Sequence, residues 1–233
     1  MKTGFISDAH GNVGAFEQGV SILDALGCDQ VVFLGDAVGY LPDPGIVMLI
    51  ERWGMKAVLG NHEAMLLSGS LPSGDEVYQL GRCRELISDR SFTEIASWPE
   101  QLRMADDGLD IWVMHGSPSD LTGGYVFPDT DLESFARPSS SVTVVGNTHR
   151  PFWGCSSGGA WFLNPGSCGM PRDCGALGAV AVLDTTACLA RIIRFDIKAA
   201  TSQALVRCAP VHESVLALFD RPRPQNLVGE IYG

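Results

Sequence analysis

The sequence predicts an α/β fold, and two observations carry that prediction. The first sixty or so residues alternate short apolar runs with stretches of helical period, and the later part is a succession of short β-type runs broken by turn residues. Residues 4–7 form the first apolar run, which ends at Asp8 as a buried strand would. Apolar Val13, Phe16, Val20, Leu23 and Leu26 then recur every three or four positions, describing a helix with one buried face that Gly27 stops. A second strand at 31–34 ends in Gly35-Asp36. A helix opened by Asp43-Pro44 runs to about Trp53, and a third strand at 57–59 ends in Gly60-Asn61-His62. This alternation implies right-handed crossovers and a largely parallel sheet, whose ligands gather at the carboxyl ends of the strands. Asp8, Asp36 and Asn61 each fall at such an end.

Helical patterns follow at 76–86 and 92–98. Residues 102–104 and 110–114 read as a hairpin around Asp106-Asp107-Gly108, the second strand ending at His115. A strand at 142–145 ends in Gly146-Asn147-Thr148-His149. Runs at 161–163, 176–183 and 188–195 read as a meander, followed by short helices at 201–208 and 210–219 and a proline-containing tail. The polar stretches 68–75 and 138–141 are loop-sized rather than linkers, so 1–233 is expected to form one domain. Its core motifs lie in 1–196, and helices and tail occupy 197–233.

Hydrophobic residues at 45 % against 18 % charged exclude a disordered chain. A net charge of −11 with no basic cluster disfavours a long nucleic acid and leaves a small nucleotide open. Seven cysteines, an odd number without a C-x-x-C pair, suit free thiols in a reducing compartment. Asp8 interrupts any signal-peptide core, and no apolar run approaches the ~20 residues of a membrane span, so the expectation is a cytoplasmic protein without membrane contact.

Chemistry enters with the histidines. Four of the five, His10, His62, His115 and His149, lie just beyond a predicted strand, beside Gly, Asn or Asp. With Asp8, Asp36 and Asn61 similarly placed, they describe one cleft. Two divalent ions roughly 3.5–4 Å apart need a carboxylate that bridges them and further O and N ligands on either side. Mixed imidazole and carboxylate donors suit Mn, Fe or Zn better than Mg or Ca.

The blocks Ser7-Asp8-Ala9-His10-Gly11-Asn12, Gly35-Asp36-Ala37-Val38-Gly39, Gly60-Asn61-His62-Glu63, His115-Gly116 and Gly146-Asn147-Thr148-His149 resemble, in order, those of calcineurin-like metallophosphoesterases. Asn164-Pro165-Gly166-Ser167 and Pro171-Arg172-Asp173 resemble the next block of small prokaryotic members, related to diadenosine tetraphosphatases and phosphodiesterases. The resemblance implies two packed mixed β-sheets flanked by helices. It also implies a metal-dependent hydrolase of phosphomonoesters or phosphodiesters, with a small, nucleotide-like substrate among the options. Asp8, His10 and His149 would hold one ion, Asp36 would bridge, and Asn61 and His115 would hold the second. Water activated between the ions would attack phosphorus, with His62 beside the leaving oxygen. One position departs from the family pattern: Asn147 stands where a histidine ligand is expected, which implies a looser second site. A metal-binding sensor module and a protein phosphatase are the alternative readings.

Arg172 and Asn12 are the expected phosphate contacts, the first through its guanidinium and the second near a helix N-terminus. Arg150 could equally face solvent, and Asn12 could simply cap its helix. Tyr40, Tyr125 and Phe127 could frame a base. Gly154-Cys155-Ser156-Ser157-Gly158 matches the nucleophile-elbow pattern, but a strand rather than a helix is expected after it. Cys168 reads as a small buried residue, and His212 has no assigned role.

Overall fold

The computed structural model describes residues 1–135 and 141–232, so the predicted 138–141 loop lies outside the described residues but for Ser141. Among these residues, β1 (Lys2–Ile6), β2 (Gln30–Phe33) and β3 (Lys56–Ala57) run parallel, connected by α1 (Val13–Ala25) and α2 (Gly45–Arg52). Helices α3 (Asn61–Ser68), α4 (Asp75–Tyr78), α5 (Leu80–Leu86) and α6 (Asp89–Ser97) lead to the antiparallel hairpin β4 (Gln101–Asp106) and β5 (Leu109–Met114). A 3-10 turn at Leu132–Phe135 precedes β6 (Ser141–Val144), β7 (Phe152–Cys155) and β8 (Trp161–Asn164). Then come the hairpin β9 (Leu177–Asp184) and β10 (Leu189–Asp196), helices α7 (Lys198–Cys208) and α8 (Glu213–Phe219), and β11 (Glu230–Ile231).

Two mixed sheets result, one ordered β11-β10-β9-β1-β2-β3 and the other β4-β5-β6-β8-β7. Side chains alternate across each strand, so β5 sends Ile111 and Val113 between the sheets and Trp112 and Met114 to the outer face. Between the sheets they meet Phe5, Val32 and Leu34 of the first and Val142, Val144 and Leu163 of the second. On its other face the first sheet carries Ile6, Phe33 and Phe195 against Phe16, Val20 and Leu23 of α1 and Ile46 and Ile50 of α2. Over the second sheet's outer face lie Leu121, Val126, Leu132 and Phe135. No helix of the described residues is long and apolar enough to cross a membrane.

Five elements differ from the sequence reading. Residues after β3 open α3 directly, because Glu63 at its third position accepts a hydrogen bond from Gly60 N (3.0 Å) at the cap. The helix expected at 76–86 breaks at Gln79, whose φ is 59°. The expected meander is split: β8 joins the second sheet parallel to β6, whereas β9 and β10 pair in the first. The Asn164-Pro165-Gly166-Ser167 turn makes that crossing, with Gly166 at φ 76°. An unexpected β7 pairs with β8, so the Gly154–Gly158 pattern runs from the end of β7 into a hairpin turn followed, as expected, by a strand, and the tail adds β11 beside β10.

Candidate metal centre

The loops after β1, β2, β5 and β6 and the start of α3 meet at one point. Backbone bonds knit them: Asp8 N donates to Gly35 O (3.0 Å), His10 N to Asp36 O (3.0 Å), and Gly146 N to His115 O (2.8 Å). The turns are sharp. Asp8, His10, Asp36, Asn147 and His149 all have positive φ, between 44° and 63°. Each such non-glycine residue costs about 1–3 kcal/mol, a strain that concentrates where side chains must be aimed for function.

The four atoms offered by Asp8, His10, Asp36 and His149 lie within 4.8 Å of one another, and all four residues are buried. His10 Nε2 is 3.2 Å from His149 Nε2 and 3.5 Å from Asp36 Oδ2, and His149 Nε2 is 3.3 Å from Asp8 Oδ1. A second group shares Asp36: His115 Nε2 lies 3.3 Å from its Oδ2 and 3.2 Å from Asn61 Oδ1. His10, His115 and His149 each direct Nδ1 at a backbone carbonyl, of Val38 (3.0 Å), Leu34 (2.6 Å) and Met170 (2.6 Å) respectively. A proton on Nδ1 leaves the Nε2 lone pair facing the centre, which is how metal-binding imidazoles are oriented. For His10 and His149 two lone pairs then face each other, and both Asp8 carboxylate oxygens are buried without a hydrogen-bond donor. A shared cation satisfies all of these groups at once, so the donor set fits a divalent metal.

Electrostatics agree. Burial pushes the Asp8 carboxyl up to about 7 and His10 down to about 3, and it also lowers His149 and His62. Burial opposes charge on Asp36 as well, but His115 and His62 hold it well below the ordinary carboxylate range. His115 is the counterpart: despite burial, the carboxylates of Asp36, Asp8 and Glu63 push it up to about 10. Only at His115 do the carboxylates outweigh burial and favour positive charge.

The family model of the calcineurin-like phosphoesterase superfamily domain matches residues 1–187. This chain belongs to the calcineurin-like phosphoesterase superfamily. An uncharacterised protein of Methanocaldococcus jannaschii is 26 % identical over 218 residues, 84 % of this chain and 88 % of that protein. The crystal structure of a metallophosphoesterase from Sphaerobacter thermophilus superposes with a TM-score of 0.77 at 26 % identity, covering 94 % of this chain and 98 % of the other. A protein of Pyrococcus horikoshii gives 0.74 at 17 % identity over 94 % and 97 %, a likeness of fold.

The remaining residues take their places around this phosphoesterase centre. His62 N donates to Asp36 Oδ1 (3.0 Å), and the His62 ring stands 4.7 Å from His10 and 4.9 Å from Tyr40 between centroids. Its Nδ1 is buried without a partner and rests against Gly39, where an added Cβ would approach it to 2.0 Å. Arg172 donates to Tyr40 Oη at 3.1 Å and keeps a buried, unpartnered Nε. Through Tyr40, whose ring is 4.8 Å from His10, the guanidinium is linked to the centre, and its charge helps depress His10, His62 and His149. Asn147 holds its amide nitrogen on the carbonyls of Gly123 (3.2 Å) and Gly124 (2.9 Å), tying the following Tyr125–Phe127 pair to the rim.

Asn12 is a correction. Its fully buried side chain caps α1 through Ala15 N (3.4 Å) and donates to Gly169 O and Thr201 Oγ1 (both 3.0 Å), so its polar atoms are engaged in holding α1 and α7 together rather than a phosphate. Arg150 is exposed, Cys168 is fully buried, and His212 caps α8. The sequence reading gave Glu63 no role, yet its buried carboxylate accepts from the backbone N–H groups of Asp36, Ala37, Val38 and Gly60 at 2.7–3.2 Å. Glutamate three residues beyond a glycine cap was the available signal.

Proposed function

We propose that this phosphoesterase hydrolyses phosphate monoesters or diesters at a pair of divalent cations, Mn, Fe or Zn by donor type. The observation that carries the proposal is the facing pair of His10 and His149 Nε2 atoms, 3.2 Å apart beside the unpartnered Asp8 carboxylate. Asp8, His10 and His149 would hold one ion, Asp36 both, and Asn61, His115 and the Asn147 amide oxygen the other. Bound there, the ions supply Lewis-acid polarisation of a phosphoryl oxygen and activation of water near neutral pH.

The chain's own groups do the rest. Burial keeps His62 uncharged, so its role would be a hydrogen bond that stabilises the charge developing on the leaving-group oxygen. Arg172, with one nitrogen on Tyr40 and Nε free, meets non-bridging oxygens. A net charge of −11 favours a small phosphorylated substrate over a long nucleic acid, in keeping with a cytoplasmic, membrane-free role. Tyr125 and Phe127 stack in parallel (5.6 Å, 9°) and are 51 % and 41 % exposed, which offers a flat face for a base and favours nucleotidyl esters.

The test is hydrolysis of chromogenic monoesters and diesters by protein loaded with Mn²⁺, Zn²⁺ or Fe²⁺. Turnover that needs metal and falls about 10²–10⁴-fold in His62→Ala is expected. Tight metal binding with no turnover of any ester would make the protein a metal-binding module instead.

A further inference from the structure

Among the described residues, none beyond the family match belongs to the cluster at the centre, yet that segment grips the loop that carries Arg172. Arg194 on β10 is fully buried. Its guanidinium donates to both Asp173 oxygens (2.6 and 2.9 Å) and to the carbonyls of Leu177 (2.9 Å), Val228 (3.2 Å) and Gly178 (3.3 Å). Arg221, exposed just after α8, donates to the Arg172 carbonyl at 2.6 Å, and its own carbonyl accepts from Gly175 N at 3.0 Å. Gly175 lies so close to the end of α8 that an added Cβ would meet Phe219 O at 2.2 Å. On the opposite side, Arg172 N donates to His149 O at 3.3 Å. Residues 171–178 are therefore wedged between the metal centre and the C-terminal segment.

We propose that Arg194 and Arg221 are positioning residues: through them the C-terminal segment holds Arg172 where it meets the phosphate, and so sets substrate affinity. The inference rests on the hydrolase reading above. A buried ion pair contributes little net stability, but five acceptors around one planar guanidinium fix a loop in a single place. A long side chain such as Arg172 binds more tightly when its backbone is already anchored, because less freedom is lost on binding.

The experiment is a double-mutant cycle on the Mn²⁺-loaded full chain, reading kcat, KM and inhibition by inorganic phosphate. Because Arg221 is exposed, Arg221→Ala is expected to keep the melting temperature and Mn²⁺ stoichiometry of the wild type. It should raise KM and the phosphate inhibition constant about three- to tenfold, with kcat within about twofold. Arg172→Ala should raise both constants further, and adding Arg221→Ala to it should change nothing more. Arg194→Lys, which keeps the charge and loses the fork, should act in the same direction as Arg221→Ala; where it fails to fold, the Arg221 cycle decides alone. Unchanged constants in folded Arg221→Ala, or effects that multiply in the double variant, overturn the inference. A wild-type protein that turns over no ester refutes the hydrolase reading instead, and calorimetric phosphate binding then judges the tail on the same cycle.

Discussion

In the proposed assignment Asp8, His10 and His149 make up one half of the centre and Asn61, His115 and Asn147 the other, and Asp36 Oδ2 lies within 3.5 Å of His10 and of His115. The first half is wholly buried and presents two imidazoles and a carboxylate that has no other partner. The second presents one imidazole and two amides, with Asn61 only partly buried. An amide oxygen is a weaker donor to a transition metal than imidazole, so the second half should bind less tightly. Asn147 is nonetheless well suited to its place. Its φ of 63° is one that asparagine tolerates, and its amide nitrogen secures the Gly123–Gly124 turn. On the proposed assignment, the contrast is that Asn147 serves the scaffold at the expense of metal affinity.

The most severe way to break this comparison is to remove the residue common to both halves. Asp36→Asn should lower kcat/KM by about a thousandfold or more and release metal from both sites, read by steady-state kinetics and metal analysis. Glu63→Ala strands three backbone N–H groups in the loop that aims Asp36 and a fourth, Gly60, at the cap of α3. It should cost about 3 kcal/mol or more in urea unfolding, and Glu63→Gln less.

pH sharpens the contrast between halves. Cations displace protons, so affinity rises with pH as each proton leaves. Asp8 loses its proton near 7 and His115 near 10. The first site's affinity for Mn²⁺ should climb up to about tenfold per pH unit and level off above neutrality, while the second's keeps climbing. Calorimetric titrations at several pH values separate the two, and identical profiles would contradict the assignment. The smallest effect is expected from Asn147→His, which restores an imidazole but loses the bonds to Gly123 and Gly124. It should tighten the second ion less than about tenfold in the same titration.

The residues that converge at the centre were legible because polar side chains stood at the ends of apolar runs: Asp8 after 4–7, Asp36 after 31–34, His115 after 110–114. The groups that orient them were not. The carbonyls of Leu34, Val38 and Met170 are backbone atoms, which every residue possesses and no pattern marks. Asn12 was misread because a helix cap and an anion site look alike until its partners, Gly169 and Thr201, are known. The split of the expected meander depends on which sheet receives β8, a long-range choice that alternation within one strand does not encode. The β11 segment is two residues long and exposed, too short for any periodicity to show.

The central claim is that residues from Asp8 to His149 hold two neighbouring cations, and electron paramagnetic resonance of protein titrated with Mn²⁺ tests it most directly. Ions roughly 3.5–4 Å apart interact magnetically. An exchange-coupled spectrum that grows in with the second equivalent and vanishes in Asp36→Asn is predicted. The signal of isolated Mn²⁺ at every loading would contradict it.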